Sequence, residues 1–104
     1  MIAQFTLIPL GTKTDSLSKS LAKAMKHVAE SNLIYKIGPM GTAVEGEWAQ
    51  VMNLINLCRK TLLRENPRVS IHISIDDRPG AKNPIVSKVR SLEMKMGVKV
   101  KTAR

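Results

Sequence analysis

With 104 residues, 43% of them apolar, the chain is long enough for one domain with a modest core and too short for two. Seventeen Lys and Arg against eight Asp and Glu leave a formal net charge of +9, which favours a polyanionic partner only where a local site supports one. No apolar run approaches the roughly 20 residues that span a bilayer, the opening MIAQFTLIPLG lacks a secretory signal's basic region and cleavage site, and the lone Cys58 has no internal disulfide partner; these features predict a soluble cytoplasmic protein.

Residues 2–9, IAQFTLIP, are rich in β-formers and end at the turn Pro9-Leu10-Gly11, predicting a first strand. Asp15 or Ser16 can cap a helix whose Leu17, Leu21, Met25 and Val28 form one apolar stripe, with Lys19, Lys23 and Lys26 elsewhere on its surface. The stripe fades near Ser31-Asn32, after which Leu33, Tyr35 and Ile37 alternate as a second strand. In Gly38-Pro39-Met40-Gly41, Pro39 fixes φ at the first central turn position and Gly41 can take positive φ, so the chain doubles back as a β-hairpin.

A third strand runs from Thr42 to about Glu45 and stops at Gly46. The second helix carries Trp48, Val51, Met52, Ile55, Cys58 and Leu62 on one stripe, so Trp48 is expected in the core and Cys58 reads as a small buried hydrophobe. Asn66-Pro67 ends it. Val69, Ile71, Ile73 and Ile75 then alternate with Ser70, His72, Ser74 and Asp76, a half-buried fourth strand. Asn83 as cap and Pro84 at the first helical position open a third helix with Ile85, Val89, Leu92 and Met96 inward and Gly97 as its stop, and the final VKVKTAR reads as an edge strand or a basic tail, about 97–104.

The order is α+β: a ferredoxin-like βαββαβ sandwich across residues 1–104, with a four-stranded antiparallel sheet, two helices on one face and an added C-terminal helix. That fold places the first strand centrally, between the third and fourth. If Phe5, Leu7, Val44 and the fourth-strand isoleucines face the helices, Gln4, Thr6, Glu45, His72 and Ser74 share the opposite, open face. Such a face is a polar recognition surface or simply a solvated one, and pairing of two faces into a homo-oligomer is compatible with a ligand pocket between subunits.

Two motifs carry charge toward this region. In VEGEW, Glu45 is aimed at the open face beside a glycine that allows close approach, whereas Glu47 lies in the first turn of a helix, where the dipole alone favours a carboxylate. In SIDDRPG, Asp76 and Asp77 end the fourth strand and Arg78 follows, either an ordinary surface loop or an anionic rim braced by a guanidinium. His27 and His72 lack the spacing of a metal site, and no phosphate-binding glycine loop or nucleophile elbow occurs. Neither a cofactor, a metal nor catalysis is expected.

Together IAQFTLIPLGT, IGPMGTAVEGE and IDDRPG resemble the small thiamine-binding protein family, related to YkoF-like proteins that bind thiamine and its hydroxymethylpyrimidine moiety. The resemblance covers nearly the whole chain and implies a ferredoxin-like fold, homodimers or homotetramers formed through sheet faces, and binding of a thiamine-like cation without catalysis. It also implies site roles for Thr42, Glu45, Glu47, Asp76, Asp77 and Arg78. The residues suit that ligand: a carboxylate meets a thiazolium charge and an amino edge, while Gln4, Thr6 and Ser74 offer amide and hydroxyl partners for ring nitrogens. The alternatives are a nucleic-acid-binding module on the same fold and a regulatory oligomer for another metabolite. With one Phe, one Tyr and one Trp in the chain, the aromatic platforms of an RNA-reading sheet are missing.

Overall fold

The computed structural model describes residues 1–11, 14–79, 85, 90, 92 and 94–97. In chain order these give β1 (Ile2–Leu10), α1 (Thr14–Ala29), β2 (Ile34–Gly38), β3 (Gly41–Glu45), α2 (Trp48–Leu63) and β4 (Arg68–Asp76). Positions 85, 90, 92 and 94–96 are helical as well, inside the stretch expected to hold a third helix. The proposed cap Asn83, with Pro84, Val89 and the tail beyond Gly97, lies outside the described residues.

The strands form one antiparallel sheet in the order β2-β3-β1-β4. β1 is therefore central, as the βαββαβ arrangement requires. Alternation along β1 is clean: Ala3, Phe5 and Leu7 are buried, while Gln4 and Ile8 are exposed. The core lies between this side of the sheet and the two helices, filled by Ala3, Phe5, Leu7, Val44, Ala24, Val28, Val51, Leu54, Ile55, Cys58 and Leu62. Full burial of each larger member contributes about 1.5–3 kcal/mol.

The helices run antiparallel: Ser20 and Lys23 in the earlier part of α1 meet Asn66 and Glu65 just past α2, while Glu30 and Ser31 just past α1 lie with Asn53 and Leu54 of the first half of α2 around one cavity. The Asn66 amide donates to Ser20 Oγ and to the Leu62 carbonyl, both at 2.7 Å, so the residue expected to stop α2 also ties its end to α1. No helix of the described residues is long and apolar enough to cross a membrane.

Four expectations are corrected. α1 is already helical at Thr14, ahead of Asp15 and Ser16. Trp48 is 60% exposed; at 100° per residue it lies about 80° around the helix from buried Cys58, while Leu54 and Thr61 take core positions instead. Ile73 and Ile75 do point to the helical side, opposite Phe5 and Ala3, yet keep 41% and 38% exposure because β4 is the outermost of the described strands. Leu92 and Met96 are each 50% exposed, not turned inward.

Candidate functional site

Residues directly opposite in an antiparallel ladder point to the same face, about 4.5–5.5 Å apart at Cα. The register therefore writes out the open face row by row. One row reads Ile34, Glu45, Ile2, Asp76 from β2 to β4; the next reads Lys36, Ala43, Gln4, Ser74; beyond it Thr6 stands opposite His72. Gln4, Thr6, Glu45, His72 and Ser74 thus share the face away from the helices, and Asp76 joins them at the end of the Glu45 row.

Gly41 shapes the middle of this surface. Its φ of 155° and bare Cα let two β1 side chains lie against it: a Cβ there would stand 3.0 Å from Thr6 Oγ1 and 3.1 Å from Gln4 Nε2. The Thr6 hydroxyl donates to the Met40 carbonyl at 3.2 Å, tying the hairpin tip to the central strand. Next to His72 is Ser70, with 3.4 Å between Nε2 and Oγ.

Glu45 is half-buried at the end of β3, and its Oε1 accepts a long 3.4 Å hydrogen bond from the Ile85 backbone N–H. The C-terminal helical stretch therefore reaches the Glu45 end of the open face, a contact across 40 residues that strand parity cannot reveal. Beyond Glu45 the chain is held by the N-terminus: the Met1 ammonium donates to the Gly46 carbonyl at 2.9 Å, and the Gly46 N–H donates to the Met1 carbonyl at 3.0 Å. These bonds close the row around Ile2.

The other expected site residues lie elsewhere. Thr42 is 4% exposed on the helical side, where its hydroxyl donates to Met25 Sδ at 3.4 Å; as the neighbour of Phe5 in the ladder it has the parity of the core. Glu47 is the exposed N-cap of α2, its N–H donating to Gln50 Oε1 at 3.0 Å. Asp77 and Arg78 are exposed just past β4.

On the opposite, helical side, a cavity of about 330 Å³ is lined by His27, Glu30, Ser31, Asn53, Leu54 and Leu57. Sequence periodicity carried no sign of it, because it arises where two separate helices part. His27 is engaged there with Thr61, 2.8 Å from Nε2 to Oγ1. No cluster of three or more His, Cys, Asp or Glu able to hold a metal occurs among the described residues.

Most of the described cations lie on the helices, with Lys36 on the open face in the row next to Glu45. Lys19, Lys23, Lys26, Arg59, Lys60 and Arg64 are exposed on the two helices, where Lys23 pairs with Glu65 and Lys26 with Glu30. The Glu45 row of the sheet carries two carboxylates and no cation. Such an arrangement can hold a small cation with donor edges.

Known proteins share this fold. A Bacillus subtilis protein, UPF0045 protein YqgV, is 34% identical over 96 residues, covering 88% of this chain and 92% of its own. The solved structure of hypothetical protein MJ1052 from Methanocaldococcus jannaschii superposes with a TM-score of 0.77 at 28% identity, over 88% of this chain and 93% of that one. A Thermotoga maritima structure, described provisionally as a thiamine biosynthesis/salvage protein, shares the fold with a TM-score of 0.75 at 22% identity, over 88% of this chain and 96% of that one. Residues 3–93 match the sequence pattern of the family described as thiamine-binding protein, and it is to this family that the chain belongs.

Proposed function

We propose that the protein binds thiamine or a related aminopyrimidine without transforming it, as a cytoplasmic carrier, buffer or sensor, at the Glu45 end of the open sheet face. The observation that carries this reading is the register: Glu45 and Asp76 flank Ile2, and Gln4 and Ser74 stand in the next row. Two carboxylates answer a fixed positive charge and an exocyclic amino group, while the amide and hydroxyl supply partners for ring nitrogens. Ile2 and Ile34 between and beside the acids offer apolar contact for a ring face. Membership of a thiamine-binding family and the provisional description of the Thermotoga maritima protein support the same ligand class. Assembly into homodimers or homotetramers belongs to this reading, since a second subunit would wall an otherwise shallow face.

Isothermal titration with thiamine, its phosphates and hydroxymethylpyrimidine tests it, with tetramethylammonium as the control for charge alone. Saturable heat is expected with at least one aminopyrimidine, and Glu45→Gln is expected to weaken it by at least about tenfold, the scale of losing one charged hydrogen bond. Absence of heat and of any thermal shift with all of them, or unchanged affinity in Glu45→Gln, overturns the reading.

A further inference from the structure

Where α1 and α2 part, the cavity of about 330 Å³ opens on the helical side of the molecule, at the lower end of the range of about 300–1,000 Å³ that small-molecule pockets occupy. Leu54 and Leu57 give it an apolar wall, and Leu57 keeps 43% exposure there. His27, Glu30, Ser31 and Asn53 supply its polar groups. None of the six belongs to the open face of the sheet.

Most of the protons of these groups are already committed. Thr61 has one hydroxyl proton and gives it to the Leu57 carbonyl at 3.0 Å, so in its 2.8 Å contact with His27 the imidazole Nε2 is the donor. A neutral His27 then keeps Nδ1 as an acceptor. Ser31 likewise spends its proton on the Val28 carbonyl at 2.7 Å and accepts the Leu33 N–H at 3.2 Å. The Glu30 carboxylate only accepts; its Oε1 lies 3.8 Å from the Lys26 ammonium, an exposed pair of a kind that contributes little. Among the six lining side chains, the Asn53 amide alone has protons left to donate.

A rim of acceptors beside an apolar wall suits a ligand that brings N–H donors, positive charge and an apolar body. An anion would instead meet the Glu30 carboxylate and the lone pairs of His27 and Ser31. We propose that this cavity binds a small protonated primary amine carried on an apolar body, with the ammonium toward Glu30 and His27 and the body against Leu54 and Leu57. The two sites are independent. They lie on opposite sides of the molecule and ask for different cations, since the fixed charge of a thiazolium carries no N–H.

Methyl NMR titration of the full chain with phenethylammonium as the probe tests this. Saturable shifts are expected at the Leu54 and Leu57 methyls and not at those of Ile2 and Ile34 on the open face. Glu30→Gln, a change at an exposed position, is expected to weaken binding by at least about tenfold, and Leu57→Ala by at least about threefold, both with the far-UV circular dichroism of the parent. Phenethyltrimethylammonium has the charge and the body without N–H donors, so it should bind at least about tenfold more weakly than the primary amine. Phenylacetate, of similar size and opposite charge, should move neither leucine. No response of these methyls at any soluble probe concentration overturns the proposal. So does unchanged affinity in Glu30→Gln, equal binding of the trimethylated probe, or shifts confined to Ile2 and Ile34, which would assign the amine to the open face.

Discussion

Gly41 controls how Gln4 and Thr6 lie on the sheet. A methyl group there would sit 3.0–3.2 Å from Thr6 Oγ1, Gln4 Nε2 and the Phe5 carbonyl, and the last of these is backbone that cannot turn aside. Gly41→Ala is therefore expected to cost about 1–3 kcal/mol in urea unfolding, the usual range for forcing atoms into a packed site. Cys58 is constrained in a different way. Its Sγ donates to the Ala24 carbonyl at 3.3 Å, and burial pushes the thiol up from 9.0 to about 11. The folded value is raised above the unfolded one, so this contribution is fully present below pH 9.0 and is lost as pH rises toward 11. Denaturation between pH 8 and pH 10.5 should show that decline, and Cys58→Ala should flatten this part of it. Burial of Cys58 was legible from its place in an apolar stripe. The role of Gly41 was not, because the atoms that crowd it come from β1, more than thirty residues earlier.

At the scale of elements, Asn66 ties the end of α2 to α1, beside the Cys58–Ala24 and His27–Thr61 hydrogen bonds. Asn66 is 3% exposed and bonds both Ser20 Oγ and the Leu62 carbonyl, and Ser20 itself is fully buried. Asn66→Ala strands the buried hydroxyl and a helix-end carbonyl, so a loss of about 1–3 kcal/mol is expected from chemical denaturation, with Asn66→Asp recovering little because it lacks the NH₂ donor. At the other end of α2, Gln50 Oε1 receives the Glu47 N–H. Gln50→Ala should cost about 0.5–1 kcal/mol and, by loosening Glu47 and Gly46, broaden the turn that holds Glu45. The existence and order of all six described elements could be read from periodicity and turn residues. Their coverage could not: Trp48, Ile73 and Ile75 have the apolar character of core residues, but exposure depends on how far each neighbouring layer extends.

Across the whole molecule, a formal net charge of +9 surrounds a row with two carboxylates and no cation. A cationic ligand is then repelled at long range and attracted only on arrival. Screening length falls from about 30 Å at 0.01 M salt to about 8 Å at 0.15 M, which removes the distant repulsion before it removes the contact. The association rate of thiamine should accordingly rise with salt over this range, followed in stopped flow by the fluorescence of Trp48, the only tryptophan. A rate that falls with salt would mean that the ligand approaches an anionic field, contrary to this charge distribution.

The sequence alone determined strand parity, because side chains alternate at every residue of a strand whatever the neighbours are; Gln4, Thr6, Glu45, His72 and Ser74 were thereby assigned to one face. It also determined the turns, where proline and glycine act locally. Only the tertiary structure decided that Thr42 faces Met25, that Ile85 reaches Glu45 and that β4 is the outermost of the described strands beside β1. Those facts depend on which distant segments meet, and a local pattern records what a residue can do but not which segment will stand beside it.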